Sequence, residues 1–278
     1  NALQSATRAR RVWRAIRHGD DPFAPGALPE GIRQRLTQKF RSFPVVVEKQ
    51  EGRDTHKSVL RFADGRSVEA VVIPNPTRST LCISSQVGCA RGCVFCRTGS
   101  MGLLRNLHVE EMVAQVLWGM AQTIERRWAP LRNVVFMGMG EPLDNLSNVA
   151  AMLDIVTDSR ALAFAPKHLT VSTVGTTPHR VVEAFGLPAQ IAWSLHSAID
   201  EKRKVLIPSA RHDVLALRDA FFEGMERSNK HLFVEVTLIA GVNDADEDAH
   251  AIADLFAAAT SKVRINLIGV NPGIENGG

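Results

Sequence analysis

Three cysteines lie within eight residues of one another, in the spacing Cys89-x3-Cys93-x2-Cys96. Thiolates ligate zinc ions and iron–sulfur clusters. Three cysteine ligands leave one iron of a [4Fe-4S] cluster without a protein ligand. Such an open position suits catalysis, because a substrate or cofactor can bind the metal there. The spacing therefore predicts a catalytic iron–sulfur site with Cys89, Cys93 and Cys96 as the metal ligands.

The fourth cysteine, Cys82, permits an alternative, a structural zinc site with four thiolate ligands. Zinc sites usually combine two Cys-x2-Cys hooks, whereas Cys82 lies seven positions before Cys89 in a predicted strand. Glycines at positions 88, 92 and 99 let the backbone wrap closely around a metal centre. Phe95, between two of the predicted ligands, is placed to shield a cluster from water.

The segments around these cysteines alternate between strand and helix patterns. Helices are predicted at residues 108–126, 145–158, 177–185, 213–227 and 247–258. Six strands are predicted at residues 81–85, 134–137, 169–172, 191–195, 232–239 and 263–268. This alternation is typical of an α/β fold with a parallel sheet, and six units indicate an open, partial (β/α)6 barrel.

Several of these strands end in glycine or polar residues, at residues 88, 138–141, 172–175, 194–197 and 271. In barrels of this type the chemistry takes place at the carboxyl ends of the strands. We therefore expect these residues to meet at one edge of the barrel.

Two short amphipathic helices, at residues 3–17 and 28–40, and three β-rich runs, at residues 45–48, 58–62 and 68–73, precede the barrel. The runs are separated by Glu51-Gly52 and Asp64-Gly65, which favour hairpin turns. We expect an N-terminal helical domain at residues 1–42, a β-hairpin extension at 43–78 and the barrel at 79–278.

The positive charge of the chain is concentrated near its start. Residues 1–50 carry ten Lys and Arg against four Asp and Glu, a net +6, so the rest of the chain carries −2 of the total +4. Arg8, Arg10, Arg11, Arg14 and Arg17 recur at helical spacing, as expected of a face that meets phosphates. A solvated helix face would show the same pattern. Trp13, beside these arginines, is a candidate for stacking on a base.

The composition argues against a membrane protein and against a disulfide-stabilised secreted protein. No apolar run reaches the roughly 18 to 20 residues that cross a bilayer, and the start lacks a secretory hydrophobic stretch. Four cysteines, three of them clustered, fit metal ligation in a reducing compartment. We expect a cytoplasmic protein.

Further motifs accompany the cysteines, at residues 84–89 (SSQVGC), 105–107 (RNL), 137–142 (MGMGEP), 194–197 (SLHS) and 266–268 (NLI). With these motifs the chain resembles, from about residue 5 to 272, the radical S-adenosylmethionine superfamily. Within it the chain is most similar to RNA methyltransferases that modify C2 or C8 of adenine in 23S ribosomal RNA. The resemblance implies two cofactors, a [4Fe-4S] cluster and S-adenosylmethionine, whose amino and carboxylate groups occupy the open iron.

The resemblance also implies which residues contact S-adenosylmethionine. Gly140 brings the backbone close to the methionyl end of the cofactor, and Glu141 can accept a hydrogen bond from its ammonium group. The other implied contacts, to ribose, carboxylate and adenine, are Ser172, Ser194, Leu195, His196 and Asn271.

Two catalytic residues, Glu69 and Cys82, are implied by the resemblance alone. In the family, a C-terminal cysteine is methylated, and a 5'-deoxyadenosyl radical then takes hydrogen from that methyl group. The carbon radical adds to the adenine ring. The position of Cys82 corresponds to the thiol that releases the covalent RNA adduct by forming a disulfide, and that of Glu69 to the base that removes the ring proton.

The chain departs from the family pattern because no cysteine follows Cys96. We expect that a mobile C-terminal tail carrying the methylated cysteine is missing from the chain. The alternative is a paralogue with different chemistry.

The residues permit several functions. Residues 172–175 (STVG) and 194–197 (SLHS) favour C8 methylation, whereas residues 141–143 (EPL) and the N-terminal region favour C2, and we predict C2. The expected partners are 23S ribosomal RNA, transfer RNA as a second candidate, and a flavodoxin-like or other low-potential electron donor, with the enzyme acting as a monomer. A radical enzyme acting on a non-RNA substrate and a non-enzymatic RNA-binding metal protein are the competing hypotheses.

Overall fold

A nine-stranded sheet runs through the computed structural model, which describes residues 6–20, 28–39, 45–52 and 54–270. The strands lie side by side in chain order. They are β1 (Val45–Glu51), β2 (His56–Arg61), β3 (Ser67–Ile73), β4 (Ser79–Cys82), β7 (Leu131–Phe136), β8 (Leu169–Thr173), β9 (Gln190–Ser194), β10 (Leu232–Leu238) and β11 (Val263–Gly269). The remaining two strands, β5 (Gln86–Gly88) and β6 (Leu103–Asn106), form a separate antiparallel hairpin.

The larger sheet combines two kinds of pairing. Strands β1 to β4 are antiparallel neighbours, whereas β4 and β7 to β11 are parallel. Strands β1 and β11 lie at opposite ends of the strand order, so the described sheet stays open. The predicted α/β fold, with six parallel strands in an open barrel and a β-hairpin extension, is confirmed.

Helices connect the parallel strands. They are α3 (Val109–Glu125), α4 (Leu146–Thr157), α5 (Pro178–Ala184), α6 (Asp200–Leu206), α7 (Val214–Ser228) and α8 (Asp246–Phe256). Close packing against the sheet is visible at Gly119 of α3, where a Cβ atom would lie 2.8 Å from a methyl carbon of Leu81. Leu81 is completely buried, and Cys82 beside it points to the other face of the sheet. One face of β4 is thus sealed by α3, and the other is left for the site.

The N-terminal segment forms α1 (Ala6–His18) and α2 (Glu30–Lys39). Trp13 and Ile16 are partly buried against the hydrophobic core. The base-stacking role suggested for Trp13 stays a prediction. Arg10, Arg11 and Arg14 remain exposed on α1.

Each helix and strand predicted from the sequence is present within three residues of its expected bounds, and three elements, β5, β6 and α6, were missed. The β5–β6 hairpin was missed because its first strand has three residues and ends in glycine. Helix α6 was missed because its seven residues, DEKRKVL, are mostly charged and carry no side-chain cap at Ile199.

The division into domains at residues 42 and 78 stays a prediction, although β1 to β3 belong to the same sheet as the barrel strands. None of the helices in the described ranges is both long and apolar enough to cross a membrane.

Candidate active site

The cysteine loop connects the end of β5 to the start of β6 in the β5–β6 hairpin. The backbone amide of Cys89 donates to the carbonyl of Gly102 over 2.9 Å, which closes the loop. Gly88 has a positive φ of 77°, and a Cβ atom there would lie 1.9 Å from the carbonyl oxygen of Gly102. Only glycine fits this position, so the hairpin sets where the loop begins and ends.

Inside the loop the backbone turns tightly around Cys93. The amide of Cys96 donates to the Cys93 carbonyl over 3.1 Å, and the amide of Gly99 donates to the Cys96 carbonyl over 2.9 Å. Burial and, to a smaller extent, the negative charges of Cys96 and Cys89 together raise the pKa of Cys93 to about 12. The three thiols therefore lie close together in a site that disfavours thiolates unless positive charge is supplied.

Residues 137–142 form a loop against the same hairpin. The side chain of Gln86 joins them, because its oxygen accepts from the amide of Glu141 over 2.8 Å and its nitrogen donates to Asn106 over 2.7 Å. Gly140 has a φ of 99°, and a Cβ atom there would lie 2.5 Å from the Cβ of Gln86. This close approach brings the predicted cofactor loop next to the cysteine loop.

Glu141 is buried at 3% exposure, and both of its carboxylate oxygens accept backbone hydrogen bonds. Leu143 donates to one oxygen and Val174 to the other, each over 3.0 Å. Burial raises the pKa of Glu141, and these hydrogen bonds partly offset that rise. The charge of Glu141 in turn raises the pKa of Cys89 and Cys93, so the carboxylate lies near the cysteine loop. Glu141 is placed to meet a cation that binds beside the cysteines.

Glu69 and Cys82 share one face of the sheet. Cys82 pairs with Val71 of β3, and Glu69 lies two positions from Val71, so side-chain alternation points both the same way. Across the next parallel strands, Cys82 pairs with Val135, and Val135 with Thr170. Because the side chains of paired residues point to the same face, the face that carries Glu69 and Cys82 extends to β8.

Polar residues continue this face across β8 to β11. Ser172 pairs with Ala192, two positions before Ser194, which in turn pairs with Glu235 and through it with Asn266. The hydroxyls of Ser172 and Ser194 lie 2.9 Å apart, and Asn266 donates to the Glu235 carboxylate over 2.9 Å. A row of hydrogen-bonding groups therefore lies on the sheet face that holds Glu69 and Cys82.

His196 follows β9 and packs against the cysteine loop. Its ring centroid lies 4.4 Å from that of Phe95. The amide of Thr237 donates to Nδ1 of His196 over 3.1 Å, which assigns the ring proton to Nε2. Burial and, to a smaller extent, the charge of Arg203 together lower the pKa of His196 to about 3. The ring is therefore neutral at physiological pH and offers a single N–H donor.

Leu195 is fully buried, and its main-chain groups are bound within the chain. Its amide donates to the carbonyls of Trp193 and Glu235, and its own carbonyl accepts from Arg203 over 3.2 Å. Asn271, the last predicted cofactor contact, lies outside the described residues.

Three comparisons with known proteins agree on one family. Residues 83–256 match the model of the Radical SAM superfamily, the proteins of which use a [4Fe-4S] cluster and S-adenosylmethionine. A dual-specificity RNA methyltransferase RlmN of Phenylobacterium zucineum is 41% identical over 279 residues, which cover 95% of the chain and 71% of that protein. The chain belongs to the radical S-adenosylmethionine RNA methyltransferase family.

The chain is also similar to two further proteins. A probable RNA methyltransferase of Sorangium cellulosum is 46% identical over 79% of the chain and 55% of its own length. The crystal structure of a radical SAM methyltransferase from Sphaerobacter thermophilus is 33% identical, with a TM-score of 0.88 over 96% of the chain and 79% of that structure. The chain thus spans little more than half of the Sorangium protein.

The arrangement of the cysteines in this chain fits an iron–sulfur cluster better than a single metal ion. Within the described ranges, no group of three or more His, Cys, Asp or Glu side chains could hold a single ion. A cluster of four irons holds its cysteine ligands further apart than one ion does, because the sulfurs bind different irons. The neighbouring groups that affect the pKa of Cys82 are the Met137 backbone and Glu69, not the cysteines of the loop. The four-cysteine zinc alternative therefore has no support in the described residues.

Two polar residues of the site were not singled out from the sequence. Gln86 was not recognised because its role comes from the missed β5–β6 hairpin. Glu235 had a visible signal, a single carboxylate within the apolar strand β10. Burial raises the pKa of Glu235, and the hydrogen bond from Asn266 partly offsets that rise.

The tight turn at Gly99 provides a test of the cysteine loop. A Cβ atom at Gly99 would lie 2.6 Å from the carbonyl oxygen and 2.9 Å from the amide nitrogen of Cys93. Because both are backbone atoms, we expect Gly99→Ala to distort the loop and to lose most of the bound iron. Iron per chain after anaerobic reconstitution is the measurement. Gly31→Ala is the control, since a Cβ atom at Gly31 has open space around it. Full iron content in Gly99→Ala would contradict the loop geometry.

Proposed function

We propose that the full-length protein is a radical S-adenosylmethionine methyltransferase that methylates C2 of an adenosine in 23S ribosomal RNA, with transfer RNA as a second substrate. The observation that carries this proposal is the common sheet face of Glu69, Cys82, Ser172 and Ser194 beside the cysteine loop. A base, a thiol and polar groups for a cofactor are thereby gathered on one side of the barrel.

Cofactor binding is assigned to the strand ends and the cysteine loop. Cys89, Cys93 and Cys96 would hold the cluster. Gly140, Glu141, Ser172, Ser194, Leu195, His196 and Asn271 would hold S-adenosylmethionine. When bound, the reduced cluster supplies the electron that cleaves S-adenosylmethionine. This chemistry suits C2 of adenine, because that carbon is electrophilic and does not accept a methyl group by ordinary transfer from a sulfonium. The rings of Phe95 and His196 contact each other and would help to shield this region from water.

Glu69 is proposed to accept the ring proton at its carboxylate. Nζ of Lys57 lies 2.9 Å from Oε1 of Glu69, and both side chains are partly exposed. A carboxylate is the form of a glutamate side chain that can accept a proton. Since both groups are open to solvent, a substrate base can approach Glu69 from the same side.

Cys82 is proposed to release the RNA adduct by attack on the sulfur of a methyl-carrying cysteine outside the chain. Burial raises the pKa of Cys82 to about 12, a hydrogen bond from the Met137 backbone opposes this, and the charge of Glu69 raises the pKa further. The thiol therefore stays protonated at neutral pH, which limits unwanted disulfide exchange before the adduct forms. As the sulfur–sulfur bond forms, Cys82 gives up its proton, the sulfur–carbon bond to the RNA breaks, and the departing carbon keeps the electron pair and takes up a proton to become the methyl group.

RNA binding is assigned to the exposed face of α1. The relatives are named as RNA methyltransferases. Because the chain spans only 55% of the length of the Sorangium protein, an RNA substrate is proposed for this chain. Arg10, Arg11 and Arg14 project from one side of a helix whose other side packs on the core through Trp13 and Ile16. A docked helix holds these cations in fixed positions, which suits binding to folded RNA.

Removal of the three exposed arginines is expected to weaken RNA binding with a lower salt dependence. In Arg10→Gln/Arg11→Gln/Arg14→Gln, the slope of log K against log salt should fall by about 2, because each phosphate contact to a single strand contributes about 0.7. Filter binding of ribosomal RNA fragments at several salt concentrations measures this slope. The matched control replaces Arg218 and Arg227 of α7 with glutamine, and it should leave the slope unchanged. An unchanged slope in the α1 variant would remove α1 from the RNA interface.

The reaction itself is tested with methyl-deuterated S-adenosylmethionine. The anaerobically reconstituted full-length protein is incubated with ribosomal RNA and a low-potential reductant, and the nucleosides are then analysed by mass spectrometry. Labelled 2-methyladenosine supports the proposal. Labelled 8-methyladenosine would establish methyltransferase activity and overturn the C2 assignment. Residues 172–175 favour this second outcome. Abundant 5'-deoxyadenosine with unmodified RNA would indicate a radical enzyme with a non-RNA substrate.

The same proposal places the protein in the cytoplasm, where RNA and reduced thiols are available. A flavodoxin-like or other low-potential protein would supply the electron, and the enzyme would act as a monomer. Size-exclusion chromatography of the reconstituted protein with and without RNA tests the last point.

A further inference from the structure

Arg203 of α6 is buried between the ends of two parallel strands. It is 1% exposed. Its Nε donates to the carbonyl of Leu195 after β9 over 3.2 Å, and its Nη2 donates to the carbonyl of Val174 after β8. The guanidinium thus joins the two strand ends that carry the row of Ser172 and Ser194.

No carboxylate within the described ranges lies within 4.0 Å of the Arg203 guanidinium. Asp200, one turn earlier in the same helix, accepts from the amide of Val214 over 2.9 Å and acts on Arg203 only through its charge. A buried cation that meets two neutral carbonyls still lacks a counter-charge, which is costly in a protein interior. This position therefore calls for an anion close by.

The cysteine loop lies next to α6. The amide of Val94 donates to the carbonyl of Leu206 over 3.1 Å, which fixes the loop to the last turn of the helix. Burial lowers the pKa of Arg203 to about 10, and negative charge on Asp200 and Cys93 opposes this. Arg203 and Cys93 are thus close enough to interact electrostatically.

A second arginine near the cysteines, Arg91, has a counter-charge within the chain. Arg91 forms an ion pair with Asp144, so its charge is already balanced within the chain. Arg203 is the buried arginine whose balancing charge the described residues do not supply.

We propose that Arg203 is a positioning residue that supplies the counter-charge of the cluster held by Cys89, Cys93 and Cys96 and thereby raises its reduction potential. The inference rests on the proposed function, because it requires a cluster in the cysteine loop. Three thiolates give the cluster a net negative charge, and reduction adds another negative charge. A buried guanidinium stabilises the reduced form more than the oxidised form, since Coulomb attraction is weakly screened there. Removing its charge should lower the potential.

The test is a redox titration of the reconstituted cluster, followed by electron paramagnetic resonance. Arg203→Gln and Arg203→Met remove the charge, and Arg203→Lys keeps it while losing the planar pair of donors. Two neutral variants are used because either one could fail to fold. Lys230→Met is the matched control. Lys230 is a partly buried cation that also donates to two carbonyls, those of Phe185 and Leu187, before the start of β9 and away from the cysteine loop.

We expect each neutral variant to hold at least tenfold less reduced cluster at a fixed potential, which corresponds to about 59 mV for a one-electron couple. Arg203→Lys and Lys230→Met should titrate close to the parent protein. Neutral variants that fold, bind iron and titrate like the parent would overturn the inference, leaving Arg203 a scaffold residue. A parent protein that binds no cluster would instead defeat the proposed function, and iron content separates these two failures.

Discussion

Cys93→Ala is expected to abolish iron binding and every activity that depends on it. Cys93 is the central cysteine of the loop, and its carbonyl accepts the amide of Cys96, so ligand and turn geometry coincide there. With two thiolates remaining, the cluster loses one of its three protein ligands. The parent protein should bind about four iron atoms per chain after anaerobic reconstitution, and the variant close to none. Iron analysis and the charge-transfer absorbance of the cluster provide the measurement.

Cys82→Ala is the matched control for this experiment, because it also removes one thiol. Cys82 lies on the sheet and pairs with Val71 and Val135. It should therefore bind the same amount of iron as the parent. If both variants lost metal equally, or if the parent bound zinc and no iron, a four-thiolate site would replace the cluster assignment.

The alternation of strand and helix patterns predicted the barrel because each pattern is local. The runs around Val134 and Val171, for example, are apolar over a few residues, and each is followed by a longer helical segment. Such runs form buried parallel strands wherever helices cover the sheet. The same reasoning did not predict α6, because its seven residues are mainly charged. This helix is stabilised by the buried residues Arg203 and Leu206, which the local pattern does not reveal.

The candidate site was only partly predictable. The spacing of the cysteines predicts which sulfur atoms bind a metal, because ligand spacing is a local property of the sequence. Whether Glu69, thirteen residues before Cys82, faces the same side depends on the register of β3 against β4. A shift of one residue would turn Glu69 to the opposite face, so its position could not be obtained from sequence spacing. The resemblance to the family implied only the catalytic role of Glu69, which stays a prediction.

Arg203 illustrates a third kind of residue, one whose importance comes from burial alone. In the sequence it lies within DEKRKVL, a run that looks like a solvated helix face. Only the fold shows that Lys202 stays partly exposed and pairs with Asp248, while Arg203 is buried and donates to the carbonyls of Val174 and Leu195. Two adjacent basic residues thus have different roles because helical geometry points them in different directions.

Cys82→Ala in the full-length protein is expected to trap a covalent complex between protein and RNA. The proposed adduct is released when the Cys82 sulfur bonds to the sulfur of the methyl-carrying cysteine, and the sulfur–carbon bond to the RNA then breaks. Without the thiol the adduct should form and persist, so turnover should fall to one methylation event per chain or fewer. Denaturing electrophoresis with labelled RNA detects the complex as a slowly migrating band.

The matched variant is Glu69→Gln, because its side chain lies on the same sheet face as Cys82. Loss of the base should also slow release, but the thiol remains, so release through the disulfide should continue and a reducing agent should still be needed to regenerate that variant. The burial that holds the pKa of Cys82 at about 12 gives a further expectation for the parent. Because the thiolate fraction rises with pH below this value, adduct release should become faster as pH increases. A clean, uncrosslinked band for Cys82→Ala, together with normal iron content, would remove Cys82 from the release step while leaving the cluster assignment intact.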